Sequence, residues 1–128
     1  MIHHVSYSVS DYAKSLEFYD RTLLKLGVER LMTFDNAVAG YGKDGQPFFW
    51  ISRQGNPQEE IGNARGMHVA FSAPSRKCVQ AWYDECLTLG GEDNGAPGPR
   101  PEYDLRYYSA FIVDPDGWRI EAVTFNDE

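Results

Sequence analysis

The sequence predicts an α+β fold made of one βαβββ unit written twice. Three observations carry that reading. The phrase HVSYSV at residues 4–9 returns as HVAFSA at 68–73, and FYD at 18–20 returns as WYD at 82–84, both at an offset of 64. KLG ending at Gly27 returns as TLG ending at Gly90, an offset of 63 that needs only one deleted residue. Within each copy an alternating stretch gives way to helical spacing and then to shorter alternating runs.

The first copy opens on a strand that sets Val5, Tyr7 and Val9 on one side and His4, Ser6 and Ser8 on the other. A helix follows, with Ser10 or Asp11 as N-cap, apolar Tyr12, Leu16, Tyr19, Leu23 and Leu26 at steps of three and four, and Gly27 at its end. Strands are expected at 28–34, 37–42 and 47–52, the last two joined by the turn KDGQ. A polar, glycine-bearing linker at 53–66 leads to the second copy. There Val69 and Phe71 oppose His68, Ala70 and Ser72, and Ser75 caps a helix carrying Val79, Trp82, Cys86 and Leu89 up to Gly90 and Gly91. Strands at 91–94, 106–113 and 118–125 complete the copy, with a Gly/Pro-rich loop at 95–105 and the turn DPDG before the last strand. The modules are bounded at about 1–53 and 66–126, within a single domain spanning 1–128.

A chain of 128 residues suits one domain, and no run approaches the roughly 20 apolar residues of a bilayer span. The N-terminus has no basic region followed by an apolar core and cleavage site, so a cytoplasmic location is expected, with no membrane partner. A net charge of −7 without a basic cluster repels a phosphate backbone, so nucleic acid is not an expected partner. Cys78 and Cys86 lie about 12 Å apart along their helix, too far for a disulfide, and are expected as buried thiols.

The repeat also chooses between neighbouring histidines. His3 and His4 point to opposite faces, and only His4 aligns with His68. Both aligned histidines share a face with small residues, and the pseudo-twofold relation between copies is expected to bring them together. Glu121 projects opposite its neighbours Ile120 and Ala122, and a carboxylate in a strand suited to burial needs a cation or hydrogen-bond donors. Two His and one Glu with open positions make a divalent-metal site compatible with Fe, Zn, Mn, Ni or Co. The alternative is a Glu121 that is solvated at an edge or paired with Arg119 or Arg106.

The segments HVSYSVSDYAKSLEFYDRTLLKLG, GMHVAFSAPSR and YYSAFIVDPDGWRIEAV resemble the vicinal oxygen chelate superfamily, which holds glyoxalase I, bleomycin-resistance proteins, fosfomycin-resistance thiol transferases and extradiol dioxygenases. The resemblance covers essentially the whole chain. It implies paired βαβββ modules forming a cup-shaped mixed sheet with the helices outside, around a divalent metal held by His4, His68 and Glu121. It also implies a metal-dependent lyase, isomerase, dioxygenase or thiol transferase acting on a small substrate with adjacent oxygen atoms. Glyoxalase I takes a fourth ligand from the last strand of its first module. The corresponding QPFFWIS at 46–52 has no acid or histidine, which is closer to the fosfomycin-resistance and dioxygenase branches.

Chemistry of this kind needs a proton donor or base near the metal. Glu121 and Tyr107 are the catalytic candidates, while Trp50, Tyr103 and Arg106 are candidates for substrate binding, with Tyr108 and Arg100 nearby. Alternation places Tyr107 with Ser109 and Phe111 and sets Tyr108 with Ala110, leaving open which tyrosine faces the site. Phe48, Phe49 and Trp50 serve either as aromatic walls or as core. Members of this size usually dimerise, so a homodimer is expected, with metal sites at the interface between the first module of one subunit and the second of its partner. The alternative function is non-catalytic sequestration of a small molecule, as in bleomycin-resistance proteins.

Overall fold

In the computed structural model, which describes residues 1–53, 56, 59–61 and 64–128, the chain forms two four-stranded mixed sheets and two helices. β1 (Val5–Val9), α1 (Tyr12–Leu24), β2 (Glu29–Phe34), β3 (Val38–Lys43) and β4 (Gln46–Arg53) build the first module, with strand order β1-β4-β3-β2. β5 (Val69–Ser72), α2 (Arg76–Thr88), β6 (Glu92–Pro99), β7 (Tyr108–Val113) and β8 (Arg119–Thr124) repeat the pattern in the order β5-β8-β7-β6. In each sheet the first strand runs parallel to the last, and the remaining pairs are antiparallel. The α+β reading and its two modules are thus borne out. No helix among the described residues is long and apolar enough to cross a membrane.

The helices start where capping chemistry begins. Asp11 rather than Ser10 caps α1, its side chain accepting from the amide of Lys14, and Ser75 caps α2 by accepting from Cys78. Tyr12, Tyr19 and Leu23 of α1 are buried as the spacing requires, joined by Phe18 and Thr22; on α2 the buried residues are Val79, Trp82 and Cys86. Both thiols are free, but only Cys86 is buried, and Cys78 is half-buried. Burial pushes the Cys86 thiol well above its ordinary range, so it packs as a small apolar group.

The segment expected as a loop at 95–105 departs from that reading. Its first half extends β6 to Pro99, paired with β7 through register shifts between Asp93 and Gly95 and between Gly95 and Gly98. A strand rich in Gly and Pro is tolerated here because β6 is an edge, where a missing amide hydrogen leaves no ladder bond unmade.

Aromatic packing and polar contacts join the modules. Tyr7 stacks on Trp118 with ring centroids 4.3 Å apart, and Phe49 meets Phe71 edge-on at 5.1 Å. The Trp118 indole donates to the carbonyl of Ser8 at 2.8 Å, and the Tyr7 hydroxyl donates to that of Arg119 at 3.1 Å. The opposite faces of the leading strands stay open: His4, Ser6 and Ser8 are exposed in one module, and His68, Ala70 and Ser72 in the other. The roomy faces inferred from small residues are real surfaces of the chain.

Candidate functional site

Sheet register brings two of the three proposed ligands together. β5 runs beside β8 with Ala70 opposite Glu121, and β7 runs on the other side with Phe111 opposite Glu121. Ala70 leaves room above the strand, and His68 reaches over it to set Nε2 at 2.8 Å from Oε1 of Glu121. The carboxylate is 2% exposed, so the solvated alternative for Glu121 does not hold. Neither Arg119 nor Arg106 pairs with it: among the described residues Arg106 meets only Asp104, at 3.6 Å, and Arg119 meets no carboxylate.

Gly66 holds the His68 ring from the other side. Arg65 and Gly66 are both left-handed, with φ of 51° and 86°, and the resulting reversal places the Gly66 carbonyl 2.9 Å from Nδ1. Oε1 of Glu121 and the Gly66 carbonyl oxygen thus clamp the two ring nitrogens, one on each side. A divalent cation at Nε2 would keep the Nδ1–H to Gly66 bond, the usual outer partner of a metal-binding histidine. By donor type, burial and orientation, His68 and Glu121 fit such an ion.

Tyr107 resolves the choice between tyrosines. Its hydroxyl donates to Oε2 of Glu121 at 2.5 Å, whereas Tyr108 is buried on the helix side and accepts from Gln80 at 2.8 Å. Partial burial, then the hydrogen bond to Glu121 and its charge, push the Tyr107 phenol well above its ordinary range, so it stays a donor at any physiological pH. The amide of Tyr107 closes on the Asp104 carbonyl at 3.0 Å, and its carbonyl accepts from the Arg100 amide at 2.8 Å, fixing the tyrosine just ahead of β7.

The other candidates lie elsewhere. Tyr103 is 65% exposed and touches the site only by its edge-on contact with Tyr107, at 5.1 Å. Arg106 is exposed beside Asp104. Trp50 sits on the first sheet, paired in register with Ser6 and Gly40, and its ring stacks with Phe34 at 6.2 Å. That puts Trp50 on the face of β1 that carries His4. Phe49 is core and Phe48 is part-exposed. His4 is exposed with its Nδ1 2.8 Å from that of His3, and no group of three His, Cys, Asp or Glu among the described residues is placed to hold a metal. The expected meeting of His4 with His68 and Glu121 does not occur within one chain, because the two open faces belong to separate sheets.

Sequence reasoning missed the surroundings of the pair. A cavity of about 230 Å3 is lined by Gly66, His68, Asn94, Phe111 and Arg119. Alternation along RIE already put Arg119 on the face of Glu121. Nothing in the sequence foretold the turn that brings Gly66 to His68.

Known proteins resemble this chain in sequence and fold. The model of the Glyoxalase/Bleomycin resistance protein/Dioxygenase superfamily matches residues 1–122. A protein from Vibrio cholerae named probable lactoylglutathione lyase is 30% identical over 94% of this chain and 87% of its own length. The crystal structure of a glyoxalase/bleomycin resistance protein from Albidiferax ferrireducens superposes with a TM-score of 0.82 at 29% identity, covering 94% of this chain and 95% of that one. A variant of a fosfomycin resistance protein from Listeria monocytogenes, solved with Mn(II) and 1S,2S-dihydroxypropylphosphonic acid, shares the fold with a TM-score of 0.65 at 19% identity, over 95% and 87% of the two chains.

Proposed function

The chain belongs to the Glyoxalase/Bleomycin resistance protein/Dioxygenase superfamily, and from that premise we propose that it is a divalent-metal-dependent enzyme acting on a small substrate with two adjacent oxygen atoms. The observation that carries the reading is the buried Glu121 carboxylate held between His68 and Tyr107. A bound divalent ion supplies Lewis-acid polarisation of both substrate oxygens. His68 and Glu121 hold it from one chain. Tyr107 keeps its hydroxyl hydrogen on Oε2 of Glu121, which orients the carboxylate toward the ion it would hold.

His4 is the third ligand, contributed by a second subunit. Its face is open, and around it lie Phe34 at 52%, Met32 at 42% and Phe48 at 36% exposure, a band of apolar side chains that a partner would cover. A homodimer placing this face over the partner's second module completes the site. The relatives named probable lactoylglutathione lyase support a lyase among the possible reactions. Trp50, on the face of His4, takes the strand from which a fourth ligand would come, so the chain works with three.

The test is metal content by elemental mass spectrometry, with mixed subunits. Parent protein is expected to hold about one divalent ion per chain, and His4→Ala and Glu121→Ala each little. Unfolding and refolding the two variants together restores intact sites in the mixed dimers. No metal in the parent after reconstitution with Fe, Zn, Mn, Ni or Co leaves the sequestering alternative, for which the Phe34 and Trp50 stack is the surface available.

A further inference from the structure

Like several other basic side chains, Arg119 has no carboxylate partner among the described residues; what sets it apart is its place in the wall of the cavity beside His68. It lies two residues before Glu121 on the same face of β8, and it lines the cavity of about 230 Å3 with His68, Asn94 and Phe111. The register that sets Val69 opposite Ile120 puts His68 beside Arg119 on the neighbouring strand, while the ring turns Nε2 toward Glu121. The backbone of Arg119 is fixed: its carbonyl accepts from Tyr7, and the next strand position across is Val113.

A second guanidinium reaches the same floor. Arg100 lies over the Phe111 ring at 5.6 Å and is held there by its own bonds to the carbonyls of Ala96 at 2.7 Å and Pro99 at 3.4 Å. It too has no carboxylate partner among the described residues. Arg119 in the cavity wall and Arg100 over the Phe111 ring thus bring two permanent positive charges to this small cavity and its floor. Elsewhere a net charge of −7 repels anions, so a locally positive cavity is where one would be held.

We propose that Arg119, with Arg100 across the Phe111 floor, forms a subsite for a small oxyanion, and that the substrate is an acid whose charged group lies here. The planar fork of Arg119 accepts two oxygens of a carboxylate, phosphonate or phosphate at once. Asn94, on the same wall, has an amide to donate to such an oxygen. This rests on the proposed active site for the identity of the anion as substrate, but the subsite itself needs no metal.

The experiment uses metal-free, 15N-labelled protein titrated with inorganic phosphate while the backbone amide resonances of Asn94 and Phe111, which line the cavity, are followed. A saturable shift of these resonances is expected, strongly weakened in Arg119→Gln and retained with intermediate affinity in Arg119→Lys. Binding at least about tenfold weaker in Arg119→Gln matches the loss of a charge-assisted pair. Arg106→Gln, remote and paired with Asp104, should leave the response unchanged. No saturation, or an undiminished response in well-folded Arg119→Gln, overturns the proposal. Phosphate that saturates Arg119 in a parent binding no metal upholds the subsite while the metalloenzyme reading falls. A parent that binds metal with Arg119 silent does the reverse.

Discussion

Tyr19 in α1 donates its hydroxyl to Oδ2 of Asp114, in the turn between β7 and β8, at 2.5 Å, with both residues buried. The other carboxylate oxygen, Oδ1, accepts from the amides of Asp116 at 2.9 Å and Trp118 at 2.8 Å. One aspartate thus shapes the turn that aims β8 and ties it to a helix of the other module.

Asp114→Ala leaves a buried phenol and two amides without their acceptor, and is expected to lower stability by roughly 3 kcal/mol or more. Asp114→Asn, which keeps one acceptor oxygen, costs less. Urea midpoints measure both. Burial raises the Asp114 carboxyl above its usual value, so the folded chain holds this proton more tightly than the unfolded chain does. Its contribution is full below the unfolded value of 3.8 and declines as pH rises through the folded one. The gap between parent and Asp114→Asn should accordingly narrow with rising pH, and a gap that widens would contradict this assignment.

The tyrosines set the alkaline limit. Burial lifts Tyr7 to about 12, and Tyr19, Tyr41 and Tyr107 are pushed up as well, from an unfolded value of 10.0. The folded chain then holds protons that the unfolded chain has released, so stability is intact below pH 10.0 and falls as pH rises toward these folded values. Phenolate absorbance should lag behind that of free tyrosine and jump on unfolding. A midpoint that does not fall between about pH 9 and pH 11 contradicts it.

Gly40→Ala tests the aromatic plate. A Cβ there would stand 2.6 Å from Cζ3 of Trp50, inside any permitted contact, so the indole must leave its place against Phe34. A loss of about 1–3 kcal/mol and a changed near-ultraviolet dichroism are expected, with much of the stability regained in Gly40→Ala, Trp50→Ala.

Tyr107→Phe removes the donor to Oε2 of Glu121. Metal affinity should fall about tenfold or more while the fold is kept, the usual effect of losing a partner that orients a ligand. Unchanged affinity would make Tyr107 a packing residue.

Light scattering should give twice the 14.5 kDa chain mass at micromolar concentration. A mass equal to one chain would leave His4 without a route to the His68 and Glu121 pair, and would remove the shared-site proposal.

The repeat made the fold legible, since HVSYSV and HVAFSA fix two strands and the spacing after each fixes a helix. Strand ends were misplaced where edge pairing tolerates Pro and Gly, as in β6, because such residues read locally as loop. Within the site, Glu121 was legible from a charge among apolar neighbours, and His68 from its alignment with His4. Tyr107 was already a catalytic candidate, although alternation alone left the two faces of β7 equivalent; Gly66 was not foreseen, because its carbonyl contact depends on a turn. Arg119 was visible on the right face, but a lone sequence offered no means to tell a partner of Glu121 from a neighbour.

Among the described residues, every strand pairing closes within its own half of the chain. For a nascent polypeptide leaving the ribosome this sets an order of assembly. The first sheet lacks nothing beyond Arg53 and can form while the second half is still being synthesised, and the second can do the same without consulting the first. Contacts bridging about a hundred residues, such as Tyr19 with Asp114 or Ser8 with Trp118, come only after both halves exist. Joining them is a docking event between two finished pieces, and synthesis must reach the DPDG turn before the first half can be sealed.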